Sequence, residues 1–142
     1  MIPQVVNNED ELCERLARLF SSEGTAVIAT EPQDANALLW EAKRLGEDAT
    51  RAEGQWRDPQ TEELLHEPCV VIRESSLTDA LILARDHNQQ AILYGGRIVS
   101  VTGITINERL HFAAARAGHH NASEWTRIRV GQDLYDVVGR PK

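Results

Sequence analysis

The sequence predicts an α+β fold, a ferredoxin-like βαββαβ plait preceded by one helix and followed by a helix and a β-hairpin. Two observations predict it. Short apolar runs and segments with helical spacing alternate over residues 25–101 in the order strand, helix, strand, strand, helix, strand. A glycine pair, Gly95-Gly96, then separates two apolar runs, as is typical of a tight hairpin. The 142 residues suit one domain, with a plait core at 25–101 and an extension at 102–142.

The helix before the plait is predicted from local signals. Asn8 and Glu11 have the spacing of a capping box, in which each side chain bonds a backbone amide of the first turn. Apolar residues then recur on one helical face, namely Leu12, Leu16, Leu19 and Phe20. The run TAVIAT (25–30) that follows is rich in β-branched residues and predicts the first strand of the plait.

The remaining plait elements follow in sequence. Asp34 is expected to cap a helix with inward residues Ala35, Leu38, Ala42 and Leu45. Strands are predicted at 50–58 and at CVVIRE (69–74), and Ser76 with Asp79 is expected to cap the next helix. The strand at 90–94 completes the pattern, and an extra strand is predicted at 97–101. After it, a helix is predicted near 107–117 and a final hairpin over 125–138, turning near Gly131–Asp133.

Composition indicates a soluble globular protein in the cytoplasm. Hydrophobic residues make up 42% and charged residues 26% of the chain. No apolar run approaches the roughly 20 residues that span a bilayer, and the N-terminus lacks an apolar export signal, so no membrane association is expected. Cys13 and Cys69 have no metal-ligand spacing and are interpreted as free thiols in a reducing compartment.

The charge is unevenly distributed. Residues 1–96 carry 8 Lys and Arg against 18 Asp and Glu, whereas residues 97–142 carry 7 against 4. An acidic body makes broad nucleic-acid binding unfavourable, because phosphate neutralisation needs a cationic face. The basic C-terminal part is interpreted as packing against the acidic part or, alternatively, as contacting an anionic ligand or a partner. Arg127 and Arg129 are interpreted as a solvated hairpin face, with an anion or partner contact as the alternative.

The central segments resemble a family of bacterial and phage proteins known as domain of unknown function 3293. The resemblance covers roughly residues 25–101 and depends on AVIATEP (26–32), HEPCVVI (66–72) and QQAILY (89–94). The matching residues are, in order, Thr30, Pro32, Asn36, Trp56, Glu67, Gln89, Ala91 and Ile92. The chain departs from the family pattern at Glu31, Cys69 and Gln90. The resemblance implies fold boundaries and marks residues, but it implies no reaction; the phage members suggest a role in phage–host interplay.

The plait is expected to collect polar residues at one edge of its sheet. If its first and third strands run parallel, Thr30, Glu31, Asn36 and Gln89 share an edge with Arg73 and Glu74. Trp56 and Glu67 are then expected at the opposite edge. These side chains form either a ligand-binding site of amides and carboxylates or a set of structural groups that bond loose backbone atoms.

Other chemistry has little support in the sequence. The five histidines show no His-x-x-x-His spacing, and the adjacent pair His119-His120 would point to opposite faces of a strand, so no metal site is expected. No cofactor motif is present either, since Gly95-Gly96 does not open a helix as a phosphate-binding loop does.

The predicted function is a small binding module that recognises a protein partner or a small polar ligand. The alternative is a small enzyme with a site at the Glu31/Asn36/Gln89 edge and with Glu31 or Glu74 as general base. A homo-oligomer is a further possibility, with the glycine-bearing segment 50–57 as the exposed edge strand.

Overall fold

A computed structural model describes residues 9–45, 48–58, 61–107 and 109–141. In these ranges the chain forms three α-helices and nine strands. The helices are α1 (Glu9–Ser21), α2 (Ala35–Arg44) and α3 (Leu77–Asp86), and a 3₁₀ helix at Pro32–Asp34 precedes α2. The strands are β1 (Ala26–Ala29), β2 (Asp48–Arg57), β3 (Leu64–Arg73), β4 (Ala91–Tyr94), β5 (Arg97–Ser100), β6 (Thr105–Asn107), β7 (Leu110–Arg116), β8 (Trp125–Val130) and β9 (Asp133–Pro141).

All nine strands belong to one antiparallel sheet in the order β6-β5-β4-β1-β3-β2-β8-β9-β7. Its two outermost strands, β6 and β7, are neighbours in the chain and are separated by residues 108 and 109. Three Cα–Cα steps reach at most about 11 Å, so the sheet must curl until its edges approach at this point. The backbone N–H of Leu110 donates to the carbonyl of Gly96, 2.7 Å away, and fixes the start of β7 against the turn between β4 and β5.

Helix α1 packs in the concave face of the curled sheet. Leu16 and Phe20 are buried there, and the rings of Phe20 and Phe112 lie 5.9 Å apart. The other buried members of this core come from five strands and are Val27, Ala52, Cys69, Val71, Ile128, Tyr135 and Val137. Each large apolar side chain removed from water in this way contributes roughly 1.5–3 kcal/mol to stability.

Helices α2 and α3 cover the convex face, with α2 over β2 and β3 and α3 over β1 and β4. Leu38 and Ala42 of α2 meet Ala80 and Ala84 of α3 in a second core. Strand β3 contributes to both cores, because Cys69 and Val71 face α1 while Val70 and Ile72 face α2 and α3. A strand that is buried on both faces has a continuous apolar sequence, which explains the run CVVI.

The fold predicted from the sequence is wrong. Instead of a ferredoxin-like plait with a C-terminal helix, the chain forms a mostly antiparallel, curled nine-stranded sheet with three short helices. The predicted helix near 107–117 is largely strand β7, in which Phe112 and Ala114 pack in the core while His111 and Ala113 are exposed. Its alanines favour a helix locally, but pairing with β9 along the whole strand outweighs this preference.

Strand directions also differ from the prediction. Strands β1 and β3 run antiparallel, with Ala26 opposite Ile72 and Ala29 opposite Cys69, and not parallel as expected. The segment 50–57, predicted as an exposed edge strand, lies inside the sheet because β2 pairs with both β3 and β8.

Local capping signals had mixed outcomes. Ser76 caps α3, and its hydroxyl oxygen accepts a hydrogen bond of 3.1 Å from the backbone N–H of Asp79. Asp34 precedes α2 as expected, but its side chain makes no capping bond. The predicted capping residue Asn8 lies outside the described residues. In the part of the chain that the structure describes, no helix has the length and apolar character needed to cross a bilayer.

Candidate functional site

Four of the six residues selected from the sequence lie together where β1, β2 and β3 meet at one end of the sheet. Thr30 and Glu31 follow β1, and the antiparallel direction of β3 brings its Glu67-Pro68 segment beside them. The backbone N–H of Thr30 donates to the carbonyl of Pro68 at 3.0 Å. Trp56 reaches the same place, close enough to the Glu67 carboxylate for its indole to lower the pKa of that group. We call this group the Glu67 end of the sheet; Trp56 and Glu67 were expected at the opposite edge.

The absence of a side chain at Gly54 leaves room for the Trp56 ring beside Glu67. Gly54 lies directly opposite Glu67 in the β2–β3 ladder, and the Trp56 ring lies over it. A Cβ atom on Gly54 would stand 1.8 Å from Cζ3 of Trp56, so no larger residue fits beneath the ring. Burial raises the pKa of Glu67, the hydrogen bond from Trp56 opposes the rise, and the nearby Glu31 charge adds to it.

Two further groups at this end are buried. Thr30 is fully buried, and its hydroxyl has no hydrogen-bond partner among the described residues. Burial, with the charges of Glu53 and Glu67, raises the pKa of Cys69 to about 12. Since the thiolate is the reactive form of cysteine, Cys69 is inert at neutral pH and serves as a core residue.

Asn36 and Gln89, the other two selected residues, have separate hydrogen-bond partners. The side-chain oxygen of Asn36 accepts a hydrogen bond of 3.2 Å from Arg51 on β2. Gln89 ends the α3 region, where its backbone N–H donates to Ala84, and it precedes β4. The antiparallel pairing of β4 with β1 places Gln89 at the same end of the sheet as Thr30, on the β4 side. Among the described residues, no hydrogen bond joins Asn36 to Gln89.

Arg73 and Glu74 are distant from Thr30. Ile72 lies opposite the first residue of β1, so Arg73 and Glu74 lie at the other end of the sheet from the Glu67 end. Arg73 pairs with Asp48 there, and Glu74 is exposed. The proposed general base Glu74 and the proposed site residue Glu31 thus cannot act on one substrate.

A charged network that the sequence analysis missed lies beneath the loop between β7 and β8. Asp136 is fully buried and accepts hydrogen bonds from Arg127, His120 and the backbone N–H of Gly118. Arg127 also lies over the Trp125 ring, with 4.2 Å from its guanidinium carbon to the ring centroid. The interpretation of Arg127 as solvated is wrong, because its guanidinium binds Asp136; Arg129 is exposed.

The His120–Asp136 pair resembles part of a catalytic dyad but lacks a free base. The Nε2 atom of His120 lies 2.7 Å from the Asp136 carboxylate. Its Nδ1 atom lies 3.1 Å from the backbone N–H of Ala122 and accepts a hydrogen bond from it. Both ring nitrogens are therefore occupied. His120 stabilises the loop between β7 and β8 and has no free nitrogen to accept a proton from a substrate.

A cleft of about 200 Å³ opens where the end of α1 meets the Gly95-Gly96 turn and the start of β7. We call it the basic cleft. Its polar and aromatic lining includes Arg18, Ser21, Arg109, His111 and Phe112, with Gly96 at its base. Arg18, Arg109 and His111 are exposed, and no described carboxylate lines the cleft or bonds these three side chains. Glu23 lies beside Gly95 of the cleft, but its carboxylate is held by Arg97 through a bond of 2.7 Å.

A second cleft of about 200 Å³ lies on the other side of α1 and differs in charge. It is lined by Arg73 and Arg129, but also by Asp48, which pairs with Arg73. The sequence analysis singled out neither cleft. The excess of arginine after residue 97 was the one signal that pointed to the basic cleft, yet the sequence does not show that Arg109 and Arg18 approach each other.

Comparison with protein-family models, curated proteins and solved structures finds no match. The resemblance to domain of unknown function 3293 therefore stays a prediction from the residues quoted above. Within the described residues no group of three or more His, Cys, Asp or Glu side chains is arranged to hold a metal ion.

Proposed function

We propose that the protein is a binding module that takes a small anionic ligand in the basic cleft. The observation that carries this proposal is the lining of the cleft: Arg18, Arg109 and His111 face one concavity, and no described carboxylate neutralises them. Of the two predicted kinds of partner, the proposal selects the small polar ligand.

The charge of the chain makes this lining unusual. With a net charge of −7, most of the surface repels anions, and a concave group of arginines concentrates positive potential locally. Arginine also presents a planar fork of donors that matches carboxylate and phosphate groups. Leu110 and Phe112 supply an apolar wall, so the ligand that fits combines an anionic group with a small apolar part.

Binding without catalysis fits the rest of the molecule better than an enzyme. Glu67, the carboxyl group whose burial raises its pKa, lines neither cleft, and both ring nitrogens of His120 are occupied. A general base needs a substrate held against it, and neither residue lines either cleft. A cytoplasmic location and a role in phage–host interplay remain predictions from the sequence.

The proposal is tested with phenyl phosphate and benzoate as anionic probes and benzyl alcohol as the uncharged counterpart. Two-dimensional amide NMR spectra are recorded during titration of each probe. We expect saturable shifts at Gly95, Gly96 and residues 110–112 with the two anions, weaker shifts with the alcohol, and a loss of affinity at raised salt.

Two variants locate the binding. The double variant Arg18→Gln/Arg109→Gln should lower the affinity for phenyl phosphate at least tenfold, because two charge-assisted contacts are lost. The matched control is Arg129→Gln, an exposed arginine of the second cleft, which should bind as the unaltered protein does. Equal binding by the double variant and the unaltered protein, or no saturable shift with either anion, would overturn the proposal.

A further inference from the structure

The basic cleft continues onto the exposed face of the β7–β9 ladder. His111, which lines the cleft, lies directly opposite Arg140 of β9. Residues that are directly opposite each other in an antiparallel pair point to the same face of the sheet, so these two side chains are neighbours. Both are exposed, and no described side chain forms a hydrogen bond or an ion pair with either of them. We call this second group of free donors the His111–Arg140 pair.

The pair lies one strand further from the cleft than β7 does. The cleft follows one edge of β7, where the backbone N–H of Leu110 donates to the carbonyl of Gly96 at the base of the cleft. Strand β9 pairs with the other edge of β7. Arg140 is therefore displaced from His111 by one strand spacing, about 4.8 Å, in the direction away from the cleft. A ligand with one anionic group in the cleft reaches the pair with a second acceptor group placed roughly 5–10 Å from the first.

The backbone beneath the pair is rigid. Strand β7 pairs with β9 along its whole length. At the next position of the ladder the Phe112 ring packs against Gly139, and a Cβ atom on Gly139 would stand 2.8 Å from that ring. This close contact fixes the register of the two strands, so His111 and Arg140 are in place before a ligand arrives. Donors that are positioned in advance bind more tightly, because less conformational freedom is lost on binding.

We propose that the ligand of the basic cleft carries two anionic groups, one held in the cleft by Arg18 and Arg109 and one held between His111 and Arg140. This inference rests on the function proposed above and adds the class of ligand, a dianion with its charges at the two ends of a short apolar body. Arginine offers a planar fork of donors to carboxylate or phosphate, and an imidazole ring offers an N–H donor in either protonation state.

Two compounds that differ by one charge test the second anionic group. The probe 4-carboxyphenyl phosphate adds a carboxylate to phenyl phosphate, and 4-carbamoylphenyl phosphate has nearly the same shape with an uncharged amide instead. Isothermal titration calorimetry at one salt concentration measures both affinities. We expect the unaltered protein to bind the carboxylate compound about tenfold more tightly than the amide compound, because one charge-assisted contact is gained. The backbone amide signal of Arg140 should shift more with the carboxylate compound in NMR titrations.

One variant locates the second group. Arg140→Gln should remove the preference, so that the two compounds bind with nearly equal affinity, whereas the control Arg129→Gln should keep it. Two results would overturn the His111–Arg140 pair as a binding position and leave the basic cleft intact. They are equal binding of both compounds by an unaltered protein that still binds phenyl phosphate, and a preference that survives Arg140→Gln. No binding of phenyl phosphate would instead overturn the proposed function, and this inference with it.

Discussion

The guanidinium of Arg127 binds the fully buried carboxylate of Asp136 through two hydrogen bonds, of 2.7 and 3.0 Å. The two residues face each other across the β8–β9 ladder, so the ion pair joins the strands that connect β2 to the outer strand β7. Such a pair is strongly required once it is buried, because loss of one partner leaves the other charge without compensation.

Asp136→Asn should therefore destabilise the protein by about 3–5 kcal/mol, although it changes the side-chain volume little. Urea denaturation followed by circular dichroism measures the free energy of unfolding. The control is Asp133→Asn, whose exposed carboxylate lies 3.5 Å from Arg116 and should contribute about 0–1 kcal/mol. A loss at Asp136 no larger than at Asp133 would contradict the role of the buried pair.

The same carboxylate makes stability depend on pH. Burial disfavours its charged form, but hydrogen bonds from Arg127, His120 and Gly118 outweigh burial and hold the pKa of Asp136 below its ordinary value. A group with a lowered folded pKa stabilises above its unfolded pKa, about 4, and loses that contribution as the pH falls towards the folded pKa. Below about pH 4 the unaltered protein should thus lose more stability than Asp136→Asn.

Glu67→Gln should raise the free energy of unfolding, whereas Asp136→Asn lowers it. Burial raises the pKa of Glu67, so its charged form is disfavoured by folding at neutral pH. Glutamine keeps the size of the side chain and an oxygen that can accept a hydrogen bond, without carrying a charge. We expect the variant to be more stable than the unaltered protein at pH 7, and the difference to shrink as the pH falls towards 4 and Glu67 becomes protonated. Equal destabilisation at both pH values would show that the carboxylate has a partner other than Trp56.

Thr30→Val tests whether a selected site residue has a structural role. The Thr30 hydroxyl is buried and has no described partner, and valine has nearly the same shape. Because an unsatisfied buried hydroxyl costs about 1–3 kcal/mol, its removal should leave stability unchanged or increase it by up to about 2 kcal/mol. Thermal and urea denaturation measure the change. A loss above about 1 kcal/mol would mean that the hydroxyl makes a bond that contributes to stability.

Gly54→Ala tests the contact between a glycine and the Trp56 ring. The added Cβ atom would lie 1.8 Å from the ring, so the ring must move and stability should fall by about 1–3 kcal/mol. In a double-mutant cycle, the alanine should cost much less in a Trp56→Leu background, where the smaller side chain leaves room. Additive costs of the two changes would show that the ring does not lie over Gly54.

The sequence predicts the local features of this fold and misses the distant ones. The apolar run of β3, the glycine pair between β4 and β5 and the serine cap of α3 are set by neighbouring residues, and all are observed. Strand β7 was predicted as a helix, because LHFAAAR favours a helix by composition. Its strand conformation depends on β9 and on the contact of Phe112 with Phe20, which no local pattern encodes.

The same distinction applies to the candidate sites. The sequence analysis placed Thr30 and Glu31 at one edge of the sheet and Trp56 and Glu67 at the opposite edge. The structure brings all four residues to one end. The prediction was wrong because the direction of β3 relative to β1 depends on the whole sheet and not on either strand. Arg18 and Arg109 were missed because their proximity depends on α1 packing inside a sheet whose last strands follow it by ninety residues or more.

The enclosure of α1 has a consequence for how the chain acquires its structure. Glu9 of this helix contacts Arg116 and Tyr135, which follow it by 107 and 126 positions. The chain loses conformational entropy in closing such long loops before these contacts can stabilise it. Folding is therefore slow. During synthesis the helix leaves the ribosome before its neighbours on β7 and β9. A nascent chain that ends after β5 therefore exposes Leu16 and Phe20, and it should bind general chaperones until the last strands are made.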